Sequence, residues 1–157
     1  MASAFYPKVF NHLLKGDVDL DTATVKVLLI GGADAYTYDA RDEFVSELSG
    51  ELSTSGTGYE RKTVSVTLSV DVTASDDADA GVFINFDLTN DATWGPSAPV
   101  NPAAATFTAR HAVMFIDSGS DATSKLLYYF DLGADQVVSS GTFQLLDPNP
   151  QPKLRRA

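Results

Sequence analysis

Thr63-Val-Ser-Val-Thr-Leu-Ser-Val-Asp-Val-Thr73 puts Val64, Val66, Leu68, Val70 and Val72 at every second position, with Thr, Ser and finally Asp71 between them. Side chains of a strand point alternately to its two faces, so this stretch predicts a strand with one buried and one wet face. Ala74 to Ala80 follows with Asp76, Asp77 and Asp79 and reads as a turn. Val82 to Leu88 then reads as the next strand, with Phe83 and Phe86 on opposite faces.

Outward from this pair the same signals recur. Thr22 to Ile30 is rich in β-branched residues and stops at Gly31-Gly32. Ala105 to Ile116, Lys125 to Leu132 and Gln136 to Leu146 read as three further strands, jointed at Asp117-Ser-Gly-Ser120 and Gly133-Ala-Asp135. Gly50 to Gly58 is a small, polar loop, and Asn90 to Pro102 is a long one holding Gly95, Pro96, Pro99, Pro102 and the single tryptophan, Trp94. A loop of that length is uncommon in a compact domain unless it has a task.

Two helices are expected near the N-terminus. Phe5, Val9 and Leu13, with Phe10 and Leu14, fall at helical spacing; Pro7 is tolerated in a first turn and Gly16 is a natural stop. Asp39 is placed to cap a short helix from Ala40 to Leu48, with Phe44, Val45 and Leu48 turned inward. Strands joined by short turns predict a mainly β fold, an antiparallel β-sandwich with one or two short helices near the N-terminus. The chain, residues 1–157, reads as one domain with an N-terminal arm and helix and a Pro-rich C-terminal arm over 147–157, extended because its prolines alternate.

Composition narrows the function. The 157 residues are 44% hydrophobic, which fits a folded domain. No apolar run nears the roughly 20 residues of a bilayer span, so no membrane partner is expected. Met1 to Phe10 does not read as a signal peptide. With no cysteine, disulfides, thiolate nucleophiles and Cys-based zinc sites are excluded. A net charge of −10 disfavours a nucleic-acid partner, and the basic tail, Lys153, Arg155 and Arg156, reads as a solvated end.

The chain carries little that looks like catalytic machinery. His12 and His111 lie on different elements, without a second histidine at ligand spacing. His111 has no G-x-S-x-G elbow to serve. Asp17-Val-Asp-Leu-Asp21 begins like a calcium loop, but Thr22 stands where Gly is needed and Leu28 where Glu is needed. Asp76, Asp77 and Asp79 would suit a loosely held hard cation but read more simply as solubilising a hairpin end, and Gly56-Thr-Gly58 precedes a strand instead of following one. The expectation is a protein without cofactor or metal that is not an enzyme.

Longer words of the sequence resemble a known family. They are Ala4-Phe-Tyr-Pro-Lys-Val-Phe-Asn-His-Leu-Leu-Lys-Gly16, Val18-Asp-Leu20 and Thr24-Val-Lys-Val-Leu-Leu29. Tyr36-Thr-Tyr-Asp39, Asp42-Glu-Phe44 and Gly58-Tyr-Glu-Arg61 follow in order, then Ala112-Val-Met-Phe-Ile-Asp117, Lys125-Leu-Leu-Tyr-Tyr129 and Gly141-Thr-Phe-Gln144. This series is similar to small virion structural proteins of tailed phages, in which a short helix leads through a G-x-(I/V)-(D/N)-L turn into a K-V-x-L strand. The chain departs in its Trp94 to Pro102 loop and in its longer Pro-rich tail.

The resemblance implies a component of the virion, assembled in the host cytoplasm, most simply a decoration (cement) protein outside the head. Its partners would then be the major capsid protein and copies of itself, as a trimer or hexamer. The two arms and the tryptophan loop supply the expected contacts: Phe5, Tyr6, Pro7, Trp94, Pro148, Pro150 and Arg155. The alternative is a tail or fibre component binding a host receptor or glycan, with Tyr36, Tyr38, Tyr59 and Trp94 exposed on loops for stacking on sugars.

Overall fold

The computed structural model describes residues 3–32, 35–71, 81–96, 104–147 and 153–155. The chain opens with β1 (Ala4–Phe5), α1 (Lys8–Lys15) and β2 (Val25–Ile30), then a 3-10 turn at Val45–Glu47. It continues through β3 (Lys62–Val64), β4 (Val66–Asp71), β5 (Gly81–Phe86), the helical turn α2 (Leu88–Asp91) and β6 (Thr93–Trp94). The last elements are β7 (Ala105–Ile116), β8 (Lys125–Gly141), β9 (Phe143–Gln144) and β10 (Lys153–Arg155). The fold is mainly β, and every pairing between the described strands is antiparallel.

One five-stranded sheet, in the order β1-β8-β7-β2-β3, organises the body. Its central strands are apolar on both faces. Val25, Val27 and Leu29 of β2 join Ala112, Met114 and Ile116 of β7 in the larger core, with Val9 of α1, Leu88, Trp94 and Leu145. Leu28 and Ile30 join Val113, Phe115, Leu126 and Tyr129 on the other face, beneath Tyr6, Tyr36 and Val45. The ribbon of β6 and β9 shares the larger core through Trp94 and Phe143, whose rings lie 5.7 Å apart.

Several expectations are corrected. Phe5 belongs to a strand; the helix starts after Pro7 and ends at Gly16, whose φ of 76° is the left-handed stop that glycine permits. The helix expected over Ala40 to Leu48 shrinks to the Val45–Glu47 turn. There, Phe44 pairs as an isolated bridge with Lys125, and Val45 N–H donates to the Ser124 carbonyl at 3.0 Å. The Glu47 carboxylate accepts from Phe44 N–H at 2.7 Å. The backbone groups a helix would use are spent on the neighbouring strand and on this carboxylate.

The alternating stretch from Thr63 is broken at Ser65. Its N–H donates to the Asp91 carboxylate at 2.6 Å and its carbonyl accepts from Asp87 N–H at 3.0 Å. β3 therefore stays with β2, while β4 leaves to form a second sheet in the order β10-β5-β4. Val72 and Thr73, the Ala74 to Ala80 turn and most of the Pro-rich arm lie outside the described residues.

The joint expected at Gly133-Ala-Asp135 is present without reversing the chain. Ala109 pairs with Gln136 and His111 with Asp131, so β8 spends five positions where β7 spends two. The surplus bulges out around Gly133, whose φ is 77° and whose N–H donates to Asp131 Oδ1 at 2.9 Å. Two expected strands are thus one long one, β8.

Because the sheet is buried on both sides, truncation on either face should be felt globally. Leu28→Ala and Leu29→Ala, adjacent but on opposite faces, are each expected to cost about 2–5 kcal/mol in urea unfolding, with one cooperative transition in both. A second transition appearing in only one variant would show that the two cores unfold separately.

Candidate functional site

Residues 3–17 are fastened to the body by aromatic and ionic contacts. Tyr6, fully buried, follows β1, and its N–H donates to the Leu127 carbonyl at 3.1 Å. Its hydroxyl lies 3.0 Å from the Tyr36 hydroxyl, which donates to the Asp42 carboxylate at 2.6 Å. Burial pushes both phenols well above the ordinary tyrosine range. The Tyr38 hydroxyl donates to the Phe5 carbonyl at 2.7 Å, and its ring packs on Tyr6 and Tyr129, 5.1 and 5.3 Å away. Each ring covers sheet while its hydroxyl finds a partner in another hydroxyl, a carboxylate or a backbone carbonyl.

Ionic braces hold the remaining loops. His12 of α1 sits between Asp17, at 3.2 Å, and Glu43, at 2.8 Å, and Lys8 reaches the other Glu43 oxygen at 3.1 Å. Arg61 grips Glu51 with Nε at 2.8 Å and Nη2 at 2.6 Å, and Asp121 with Nη1 at 2.6 Å and Nη2 at 2.8 Å. Its guanidinium also lies over the Phe115 ring, 5.3 Å from the centroid. Lys26 pairs with Asp117 at 2.5 Å across the start of β2. The partners hold Glu43, Asp117 and Asp121 below the usual carboxylate range: His12 and Lys8, then Lys26, then Arg61.

His111 of β7 is buried in the sheet. It lies 2.7 Å from the Tyr129 hydroxyl through Nδ1, while its buried Nε2 has no polar partner among the described residues. Burial lowers the imidazole pKa and raises that of Tyr129 to about 12. The pair is held neutral and away from solvent, which suits packing more than proton transfer to a substrate. Among the described residues, no three His, Cys, Asp or Glu side chains converge to hold a metal ion. No helix among them is long and apolar enough to cross a membrane.

The residues expected to form contacts are scattered. Phe5 is half-buried against Phe10 and Tyr128, with ring centroids 5.2 and 4.9 Å away; Tyr6 is in the core; Pro7 is exposed at the start of α1. Trp94 is fully buried, its Nε1 donating to the Glu60 carbonyl at 2.7 Å. Arg155 stands in β10 opposite Gly81, and Pro148 and Pro150 lie outside the described residues. The exposed aromatic platform is corrected: Tyr36, Tyr59 and Trp94 are buried, and Tyr38 is only half-exposed. Their polar atoms find partners inside the body, so the loops can fold onto the sheet without leaving polar atoms bare.

Sequence reading missed Glu43, Arg61 and Asp121 as a bracing set, because their separation along the chain gives no periodic signal. It also missed an exposed apolar position on β4. Val64 is 4% exposed and Val66 is partly buried against the larger core, but Leu68, two positions further, is 42% exposed. Neighbouring Thr67 and Ser69 are exposed as well, so both faces of β4 meet solvent there. No family model, curated protein or solved structure matches the chain.

The braces have a pH signature. Glu43, Asp117 and Asp121 ionise more readily folded than unfolded, so their stabilisation is present above the ordinary carboxylate pKa of about 4 and is lost as pH falls through the folded values. His111 acts earlier: the unfolded ring takes up its proton near 6.5, the folded ring only at lower pH, so stability declines downward from that value. Urea midpoints measured from pH 8 to 3 are expected to fall in two stages. His111→Asn should remove the upper stage and Glu43→Gln should weaken the lower one; unchanged profiles would contradict these assignments.

Proposed function

We propose that this protein is a structural component of a tailed-phage virion, a decoration protein bound to the outside of the head lattice. The observation that carries the reading is the use made of its charged and aromatic polar groups. His12, Arg61, Tyr6 and Tyr36 each join one loop or end of the chain to another, and Lys26 ties β2 to the end of β7. They build a stiff acidic body of net charge −10, suited to standing in solvent on a crowded particle. The resemblance to virion proteins, running from Ala4 to Gln144, supports the same reading.

The partners in this reading are the major capsid protein and further copies of this chain. Decoration proteins stabilise a shell by mass action, since many copies bind the assembled lattice and not its separated subunits. The N-terminal segment is a poor candidate for a free clasp, because Tyr6 is needed by the body's own second core.

Copy number tests the proposal. Quantitative mass spectrometry of purified virions should find this chain in the hundreds relative to the major capsid protein. A few to a few dozen copies would instead place it on a tail, fibre or vertex, and absence from the particle would overturn the virion reading.

A further inference from the structure

We infer that His12 is a proton-operated latch on the turn leading out of α1: the charged ring holds Asp17, and the neutral ring lets it go. The geometry carries this. His12 Nδ1 lies 3.2 Å from Asp17 Oδ2, and Nε2 lies 2.8 Å from Glu43 Oε1. Ionised carboxylates only accept hydrogen bonds, and a neutral imidazole has one N–H to give. Both contacts are therefore hydrogen bonds only while the ring carries two protons.

The two carboxylates are held unequally. Glu43 belongs to the segment before the 3-10 turn, and its side chain is 24% exposed. Lys8 holds its other oxygen at 3.1 Å. Its carbonyl accepts from Leu126 N–H at 2.8 Å, and its N–H donates to the Glu47 carboxylate at 2.5 Å. The Asp17 side chain, by contrast, is 51% exposed. When the ring loses one proton to solvent, the remaining N–H stays on Nε2, facing the fixed partner. Nδ1 then turns a lone pair toward the Asp17 carboxylate. That contact becomes repulsive, and Asp17 has water to move into.

The loosening falls on the end of the helix. Gly16 N–H donates to the Leu13 carbonyl at 3.2 Å and Asp17 N–H to the His12 carbonyl at 2.9 Å, and these bonds close the last turn. A cation in that turn also suits the negative end of a helix, and His12 stands there. Loss of the proton removes the side-chain link and the favourable charge together. Glu43 and Lys8 keep the rest of α1 in place.

The other ionisable groups on this side do not share the task. Lys8 is engaged by Glu43, and Glu47 by the Glu43 and Phe44 N–H groups. Lys15, in the same turn as His12, is exposed. β8, on which α1 packs, brings Tyr128, whose phenol burial keeps neutral. Across pH 5 to 8, histidine is the side chain of this set that changes charge.

The test is local, because global unfolding in this range also reports His111. It uses the full purified chain labelled with ¹⁵N, without phage particles, so it stands apart from the virion reading. At pH 5.5 both His12 ring nitrogens should be protonated, and at pH 8 Nε2 alone. Over the same interval the Asp17 amide, corrected for intrinsic exchange, should lose about two- to fivefold of its protection, the scale of one exposed ion pair. Asp17→Asn should abolish that change while the ring still titrates, because an amide can turn to accept from Nδ1–H or to donate to its lone pair. A neutral ring protonated on Nδ1 would overturn the inference. So would constant protection across the His12 titration, or an Asp17→Asn chain that keeps the wild-type change.

Discussion

A sheet that is apolar on both faces has to be covered twice, and everything in the body follows from that constraint. β2 and β7 bury Val27 and Met114 on one side and Leu28 and Val113 on the other. The first cover is conventional: α1, α2 and the β6–β9 ribbon bring side chains such as Val9, Leu88 and Trp94. The second is made of β1's continuation at Tyr6 and the irregular segment around Tyr36 and Val45. Irregular backbone brings polar groups to an apolar surface, where an unpaired one costs about 1–3 kcal/mol. Tyrosine resolves the conflict, since its ring covers Leu28 and Phe115 while its hydroxyl reaches another hydroxyl, a carbonyl or Asp42.

The same constraint explains what the sequence disclosed. Ala105 to Ile116 is a strand with the bounds its turn signals predict, because a central strand between two neighbours is defined by local signals and pairing alike. Val25–Ile30 is similarly evident from its β-branched run and the Gly31-Gly32 stop. The Ala40 to Leu48 segment misled because its apolar positions serve tertiary cover, not a helix stripe. Gly133 marked a real turn, but nothing local distinguishes a reversal from a bulge when the partner strand runs on past it.

The candidate site was less legible for a different reason. Aromatic residues in polar, glycine-bearing loops look exposed when a loop is read alone. Trp94 and Tyr59 are instead drawn under by the larger core, their rings 6.4 Å apart. Arg61 reaches Glu51 across 10 residues and Asp121 across 60, so no spacing rule joins the three. Charge patterning gave the sign of the surface and nothing about which charges brace it.

Leu68 marks the point where legibility divides. The alternation from Val64 onward states correctly that one face of the strand seeks burial, but it does not say where the cover comes from. Inside the body that demand is met at Val64 by β2's side of the sheet, and part of it at Val66. Beyond Ser65 the backbone is turned away by Asp91 and Asp87, which fix the exit direction through two hydrogen bonds and not a flexible link. The Asp91 and Asp87 contacts thus direct the strand's exit as Arg61 braces the loops of the body. One periodic stretch thus does two jobs, and the residue that separates them is the polar one its own period would have left unremarked.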